Sequence, residues 1–351
     1  MIQGAIGSVL MILILISFGY LAAFKGWVSE GTSRFITKLV VNITLPCTIL
    51  NSFLNNFTAA ELLSSGKYIL TAFTAVLLFL AVGLLFARIL KIEKEQRGVF
   101  TALFSFSNSV FVGFPVAHAI FGEKGMIFAI FYFFANTTCF NTLAYLLISR
   151  DGELMRRKEA AGSAFVEGPG GTAILSMEEA GSLADSFDLT KTAQPPKITV
   201  FSMVKRVLQP PVITIFVAIA LVLLGIRLPD FANSTIEITS GITSPLSLIF
   251  VGTVLHRVGF KTLKFEKGLS WVMVGRFILA PLVMLGVAAL FGIDPFASHV
   301  FITQMALPVM VTAVIYAESC RADCAFATRC MVMSTLLSLI MLPILVILFG
   351  G

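Results

Sequence analysis

The sequence predicts an all-α membrane protein, with ten transmembrane helices arranged as two inverted five-helix repeats. Three observations carry this. The chain of 351 residues is 57% hydrophobic and only 13% charged, about half the charged share of a soluble domain, and its mean hydropathy is +0.95. Its apolar residues fall into ten runs of the ~20-residue length that a hydrocarbon core demands. Of the 25 Lys and Arg, 21 lie in the loops after runs 1, 3, 5, 7 and 9 or on their flanks.

The first run, 5–24, comes after MIQGA, which lacks the basic residue of a signal peptide, and is expected to remain in the membrane. Segment 2 (35–56) contains NITLPCTIL with Pro46, and segment 3 spans 68–90. Segment 4 (99–121) reads SFSNSVFVGFPVAHAIFG from Ser105, with polar residues and Pro115 inside an apolar run, and segment 5 (126–149) carries Asn136 and Asn141. Residues 150–202 are different in kind: clustered Arg and Lys, then GPGG, a mixed acidic run and Pro195-Pro196. That composition reads as a linker with at most one short helix. It separates a first repeat (1–149) from a second (203–351). The second repeat holds segments 6 (203–226), 7 (235–255), 8 (268–291, with Arg276), 9 (297–317, with Pro308) and 10 (325–349).

Basic residues concentrate on the cytoplasmic side of membrane proteins. The odd-numbered loops, including 150–202, are therefore expected in the cytoplasm, and both termini outside. The same asymmetry accounts for the net charge of +6 without a nucleic-acid partner. Five cysteines in or beside apolar runs do not form an external disulfide framework. Cys320 and Cys324 have no histidine beside them to complete a metal site, so no metal is expected.

Five segments per half require that related halves be inverted. A weak repeat supports the relation: NITLPCTIL in segment 2 aligns with GITSPLSLI in segment 7, placing Pro46 on Pro245 and Thr48 on Ser247. Pro115 and Pro308 stand mid-span in segments 4 and 9. Interrupted helices at matching positions of inverted repeats point to a secondary transporter with its site at mid-membrane. Freed backbone groups are costly in lipid unless satisfied, and a half-helix N-terminus suits a carboxylate. The plainer reading is that Pro, Gly and Ser serve as kinks and packing surfaces. The candidate substrate-binding residues are Asn108, Ser109, Gly113 and Pro115 in segment 4, Asn136 and Asn141 in segment 5, and Gln304, Pro308 and Thr312 in segment 9. Arg276 carries a possible charge role, as a substrate contact, as a partner of Glu318 or Asp323, or snorkelled to the interface. His118, His256 and His299 read as hydrogen-bonded structural residues, and Phe111, Phe114 and Phe134 as possible pocket lining.

These residues carry a family resemblance. SNSVFVGFP with FGEKG, RFILAP, QMALPVMVTAVIYAE and the LP of Leu45-Pro46 together resemble the motifs of the auxin efflux carrier family, which includes the plant PIN carriers and bacterial malate and malonate carriers. The resemblance runs through both membrane halves and fails in the 150–202 loop, and its lack of the long plant loop resembles the bacterial type. It implies a fold similar to the sodium/proton antiporters and bile-acid symporters. Segments 1, 2, 6 and 7 would form a scaffold that pairs two subunits, and segments 3–5 and 8–10 a transport domain moving as an elevator. Within the transport domain, segments 4 and 9 would cross at Pro115 and Pro308. The implied substrates are small organic anions, with no cofactor and with a proton or sodium as possible coupling ion. The plant carriers' acid near the start of segment 3 has no counterpart in AELLSSGKYIL, where no acid lies deeper than Glu61. A channel and a membrane-embedded enzyme are the alternatives; no HExxH or paired intramembrane aspartates support the latter.

Overall fold

Prolines explain most of the irregular helix geometry. In the computed structural model, which describes residues 2–163, 200–258 and 266–349, three π-helical turns occupy Val40–Thr44, Ser109–Gly113 and Gly275–Leu279. Each runs directly into an α-helix whose second residue is proline: Pro46, Pro115 and Pro281. A proline has no N–H to donate, and its ring collides with the carbonyl four residues back. One wider turn relieves the collision and keeps the chain helical. A fourth π turn, Phe140–Ala144, has no proline after it. There the Thr142 hydroxyl donates to the carbonyls of Thr138 at 2.7 Å and Cys139 at 3.3 Å, a side-chain intrusion into the helical ladder.

The described residues are helical apart from turns and one isolated bridge, Ser107 with Val309. Among the described residues, six helices are long and apolar enough to cross a membrane: Gly31–Asn56, Ala59–Ile89, Ser109–Lys158, Asp230–Arg257, Lys267–Phe291 and Cys324–Met341. Two shorter apolar helices, Leu10–Phe24 and Pro210–Leu223, coincide with segments 1 and 6. Segment 9 is divided into Pro295–Met305 and Thr312–Ser319, and segment 4 begins with a separate helix, Arg97–Ser105.

The long Ser109–Lys158 run is not straight. Gly122, in the FGEKG stretch, has φ +64° and ψ −163°, a combination open essentially to glycine alone. The Asn136 amide nonetheless reaches the Ser109 hydroxyl at 3.3 Å. A continuous helix would hold residues that far apart in sequence about 40 Å from each other. The chain therefore doubles back at Gly122, and segments 4 and 5 lie side by side.

Close packing rests on glycine. A Cβ on Gly19 would lie 1.9 Å from the Ile249 carbonyl oxygen, and one on Gly252 would lie 2.0 Å from that of Ile16. Segments 1 and 7 thus press backbone to backbone, as small residues allow in lipid. Helix Tyr145–Ser163 carries segment 5 beyond Arg150, because Asp151 is held in the interior with 2% exposure. Its carboxylate accepts the Val99 N–H at 2.8 Å, capping the start of helix Arg97–Ser105, where Gln96 supplies no side-chain cap. The GPGG stretch at 168–171 lies outside the described residues.

Candidate functional site

Segments 4 and 9 both lose their helix at one place, and there their backbones pair. Residues Phe106–Asn108 and Pro308–Met310 run antiparallel, joined by Asn108 N–H to the Pro308 carbonyl (2.9 Å) and Met310 N–H to the Phe106 carbonyl (3.3 Å). Pro308 sits within this crossing. Pro115 does not: it lies beyond the Ser109–Gly113 π turn. The backbone pairing thus includes Pro308 and not Pro115. The reason is directional, since a proline disturbs the turn before it while leaving its own residue helical.

Breaking two helices in a buried place strands backbone groups, each worth several kcal/mol in lipid. The structure pairs them with side chains. The Asn136 amide mimics a strand: its Nδ2 donates to the Ser107 carbonyl at 2.9 Å and its Oδ1 accepts the Ser107 N–H at 3.4 Å. The Tyr132 and Ser107 hydroxyls lie 2.9 Å apart, and the Ser334 hydroxyl accepts the Val309 N–H at 3.1 Å. Asn108 Oδ1 accepts the Phe111 N–H at 3.3 Å, an N-cap for the second half of segment 4.

Arg276 serves the opposite ends. It is fully buried, and its guanidinium donates to the carbonyls of Leu307 (3.0 Å), Ser105 (3.0 Å) and Phe104 (3.4 Å), and to that of Met305. These carbonyls close the helices Arg97–Ser105 and Pro295–Met305. Each helix C-terminus carries about half a negative charge, so one guanidinium balances two of them. Neither the snorkelled position nor the pairing with Glu318 or Asp323 is what the geometry contains: Asp323 instead accepts from Gln96 and the Phe326 N–H, both at 2.8 Å. A guanidinium offers five donors in a plane, which suits a fan of carbonyls better than any other side chain.

Most of the sequence-nominated residues meet at this crossing. Gln304 Nε2 donates to the Gly113 carbonyl at 2.8 Å, and its Oε1 is buried without a protein partner. A Cβ on Gly113 would lie 2.4 Å from Gln304 Oε1, so any larger residue there would displace the Gln304 amide. Ser109 is buried against Asn136, and Thr312 opens the second half of segment 9. Asn141 stands apart: its Oδ1 accepts the Tyr316 hydroxyl at 2.8 Å, and its Nδ2 is buried without a protein partner.

The three phenylalanines do not share one pocket. Phe111 packs on Phe250, Phe114 on Phe133, and Phe134 on Phe73 and Phe216. His118 pairs with Glu123 at 3.2 Å across the Gly122 turn, and His256 meets Tyr20 edge-on at 5.1 Å. No group of His, Cys, Asp and Glu among the described residues could hold a metal. A cleft of about 30 Å³, lined by Thr48, Asn51, His118, Glu123, Ser240 and Thr243 among others, separates segments 2 and 7 from the second half of segment 4. That is room for little more than a water molecule.

Sequence reasoning missed Tyr132, Ser334 and Asp151. Tyr132 is one helical turn before Asn136, and that i, i+4 spacing was the available signal; the other two depend on tertiary placement. It also left open what Arg276 binds, because carbonyl partners leave no mark in a sequence.

Comparison with known proteins places the chain among transporters by sequence. An "uncharacterized transporter" of Methanothermobacter thermautotrophicus is 23% identical over 346 residues, covering 97% of each chain. Another of Methanocaldococcus jannaschii is 23% identical over 343 residues, covering 96% of each. The family described as "Membrane transport protein" matches residues 5–346, through both halves and both crossing segments, and the chain belongs to that family, which is the family of the auxin efflux carriers.

Proposed function

We propose that the chain is a secondary transporter of small organic anions, working by alternating access with substrate bound at the crossing of segments 4 and 9. Its ten segments would form two inverted five-helix repeats, with the odd-numbered loops in the cytoplasm. The observation that carries the reading is the charge balance at the crossing. Arg276 neutralises both half-helix C-termini there, while the N-terminal ends at Ser109 and Thr312 keep their partial positive charge. A carboxylate fits that remainder, and amide side chains receive it without a second buried charge. Gln304 Oε1, lacking a protein partner, suits a hydroxyl or a protonated oxygen of the same molecule.

The narrowness of the cleft beside segments 2 and 7 implies that admission needs relative movement. Segments 1, 2, 6 and 7 would form a scaffold, paired in a homodimer, and segments 3–5 and 8–10 would slide against it. Substrate countertransport in liposomes tests the class, since a carrier shows trans-acceleration and a channel does not. Asn108→Ala removes a hydrogen bond to a charged group, worth roughly 1.5–3 kcal/mol, and should weaken carboxylate binding about 10- to 150-fold. Unchanged affinity in that variant would place the substrate elsewhere.

A further inference from the structure

One buried acid stands outside the crossing yet is tied to it. Asp151 has 2% exposure, and no Lys or Arg among the described residues lies within ion-pair distance of it. The backbone meets its carboxylate instead. Oδ2 accepts the Val99 N–H at 2.8 Å. A Cβ on Gly98 would lie 2.9 Å from the same oxygen, so glycine is what lets the start of helix Arg97–Ser105 come this close.

The charged neighbours are engaged elsewhere or point to water. Lys158, two turns along the same helix, lies 3.7 Å from Glu93 and 3.6 Å from Glu95. Arg97 Nε donates to the Ile92 carbonyl at 2.8 Å, and Arg206 donates to the Tyr145 hydroxyl at 3.1 Å. Lys94 and Arg150 are exposed. The end of segment 9 packs on Gly152, where a Cβ would lie 1.9 Å from the Cys320 carbonyl oxygen. It brings Tyr316, Glu318, the buried Cys320 and the exposed Arg321 to this side. Two influences then oppose each other at Asp151. Burial without a cation favours the neutral carboxyl, and the N–H groups and dipole of a helix start favour the anion.

The helix that Asp151 caps leads straight to the crossing. It has nine residues, buried from Gly98 to Ser105, and is about 13 Å long. Asp151 sits at its start, and Arg276 binds the Phe104 and Ser105 carbonyls at its end. A substrate carboxylate at the crossing and an ionised Asp151 would be like charges at the two ends of one buried helix, and like charges disfavour each other.

We propose that Asp151 is a proton-binding site, and that a proton there accompanies the anion held at the crossing. The coupling role names an ion for the transport reading and rests on it; the proton site itself rests only on the burial and contacts of Asp151. Coupling of this kind is reciprocal: the proton tightens anion binding, and the anion draws in the proton.

The experiment uses the full chain in nanodiscs, with malonate as probe. Lowering the pH from about 8 to about 6, still above the range of exposed carboxyls, should build the infrared stretch of a protonated carboxyl. That band should shift when aspartate is labelled with carbon-13, and it should be missing in Asp151→Asn. Affinity for the malonate dianion should be at least about three-fold higher at the lower pH in the parent. Asp151→Asn, which imitates the protonated form, should bind equally at both pH values and match the parent's acid value. A purely structural cap predicts weaker binding at both values with the parent's pH dependence kept. That result overturns the proposal. So does a parent chain with no labelled aspartic band over the interval, a measurement that needs no variant to fold. A band at Asp151 with no malonate countertransport would uphold the proton site and sink the transport reading alone.

Discussion

Two pairs of segments meet in this protein, and both are marked by proline, yet only one pair is broken. Where segments 2 and 7 meet, the chain stays helical apart from a π turn ahead of Pro46 and an offset at Ile242 ahead of Pro245. The contact is a pair of hydroxyls, Thr48 and Thr243, 2.7 Å apart. Where segments 4 and 9 meet, the backbone is extended over Phe106–Asn108 and Pro308–Met310. The difference lies in the neighbours. The second crossing has Arg276, Asn136 and Ser334 to satisfy what the break exposes, and the first has short hydroxyls that serve their own helices. Proline permits an interruption, and polar side chains from other segments decide whether it becomes a break.

Removing those side chains should separate the two crossings sharply. Arg276→Met orphans carbonyls at the ends of two helices, at about 1–3 kcal/mol each. A loss of at least about 3 kcal/mol is expected in equilibrium unfolding from mixed micelles, with Arg276→Lys recovering little. Thr48→Val at the other crossing removes one hydroxyl pair and should cost about 1 kcal/mol. Comparable losses in the two variants would end the distinction.

Asn136→Ala comes next. It strands both backbone groups of Ser107 and should cost about 2–4 kcal/mol, whether or not substrate is present. Asn108→Ala, which gives up one local cap, should cost only about 1 kcal/mol of stability. If Asn108→Ala is the more damaging to folding, the assignment of structural and binding roles is reversed.

The prolines sharpen the contrast further. Pro46→Ala and Pro115→Ala should each change stability by less than about 1 kcal/mol, since the π turns already satisfy the chain. Pro115→Ala frees the turn that orients Asn108 and Gly113, so carboxylate affinity should fall; Pro46→Ala should leave it alone. Equal affinities in both variants would show that the Ser109–Gly113 turn does not shape the site.

The smallest expected effect lies outside both crossings. Partial burial would raise the Asp294 carboxyl, but the Ala297 amide, the Tyr68 hydroxyl, its own amide and the Lys67 charge together hold it below the usual carboxylate range. A lowered native pKa means stability that is full above the ordinary value, near 4, and lost as the pH falls through the lowered one. Asp294→Asn should cost less than about 1 kcal/mol at neutral pH, the scale of a single cap, and flatten the acid limb so that variant and parent converge at low pH. An acid limb as steep as the parent's would assign it to another group.

Much of this architecture is legible in the sequence. Apolar run lengths locate the helices within a few residues, and PCTIL, VGFP and ILAP mark three helix irregularities. Asn108, Gln304 and Asn136 stand out as amides in apolar runs and do meet at the crossing. Asn141 carries the same signal and lies elsewhere, because the π turn at Phe140–Ala144 rotates it toward Tyr316. Pro115 lies outside the backbone pairing for a related reason: a proline's local effect is fixed by stereochemistry, while a pairing needs a second segment.

Solvent and local sterics account for the features that can be read along the chain. Apolar length and charge asymmetry point to helices in a bilayer, and Pro46, Pro115 and Pro281 each mark a disturbed turn just ahead. Three features came only with the folded arrangement: which disturbed turn opens fully, that Arg276 answers to carbonyls rather than to an acid, and that Asp151 caps a helix from another segment. In lipid a stranded backbone group has no water to turn to, so its fate is set by whichever side chain the fold brings within hydrogen-bonding reach, and that proximity is not written along the chain.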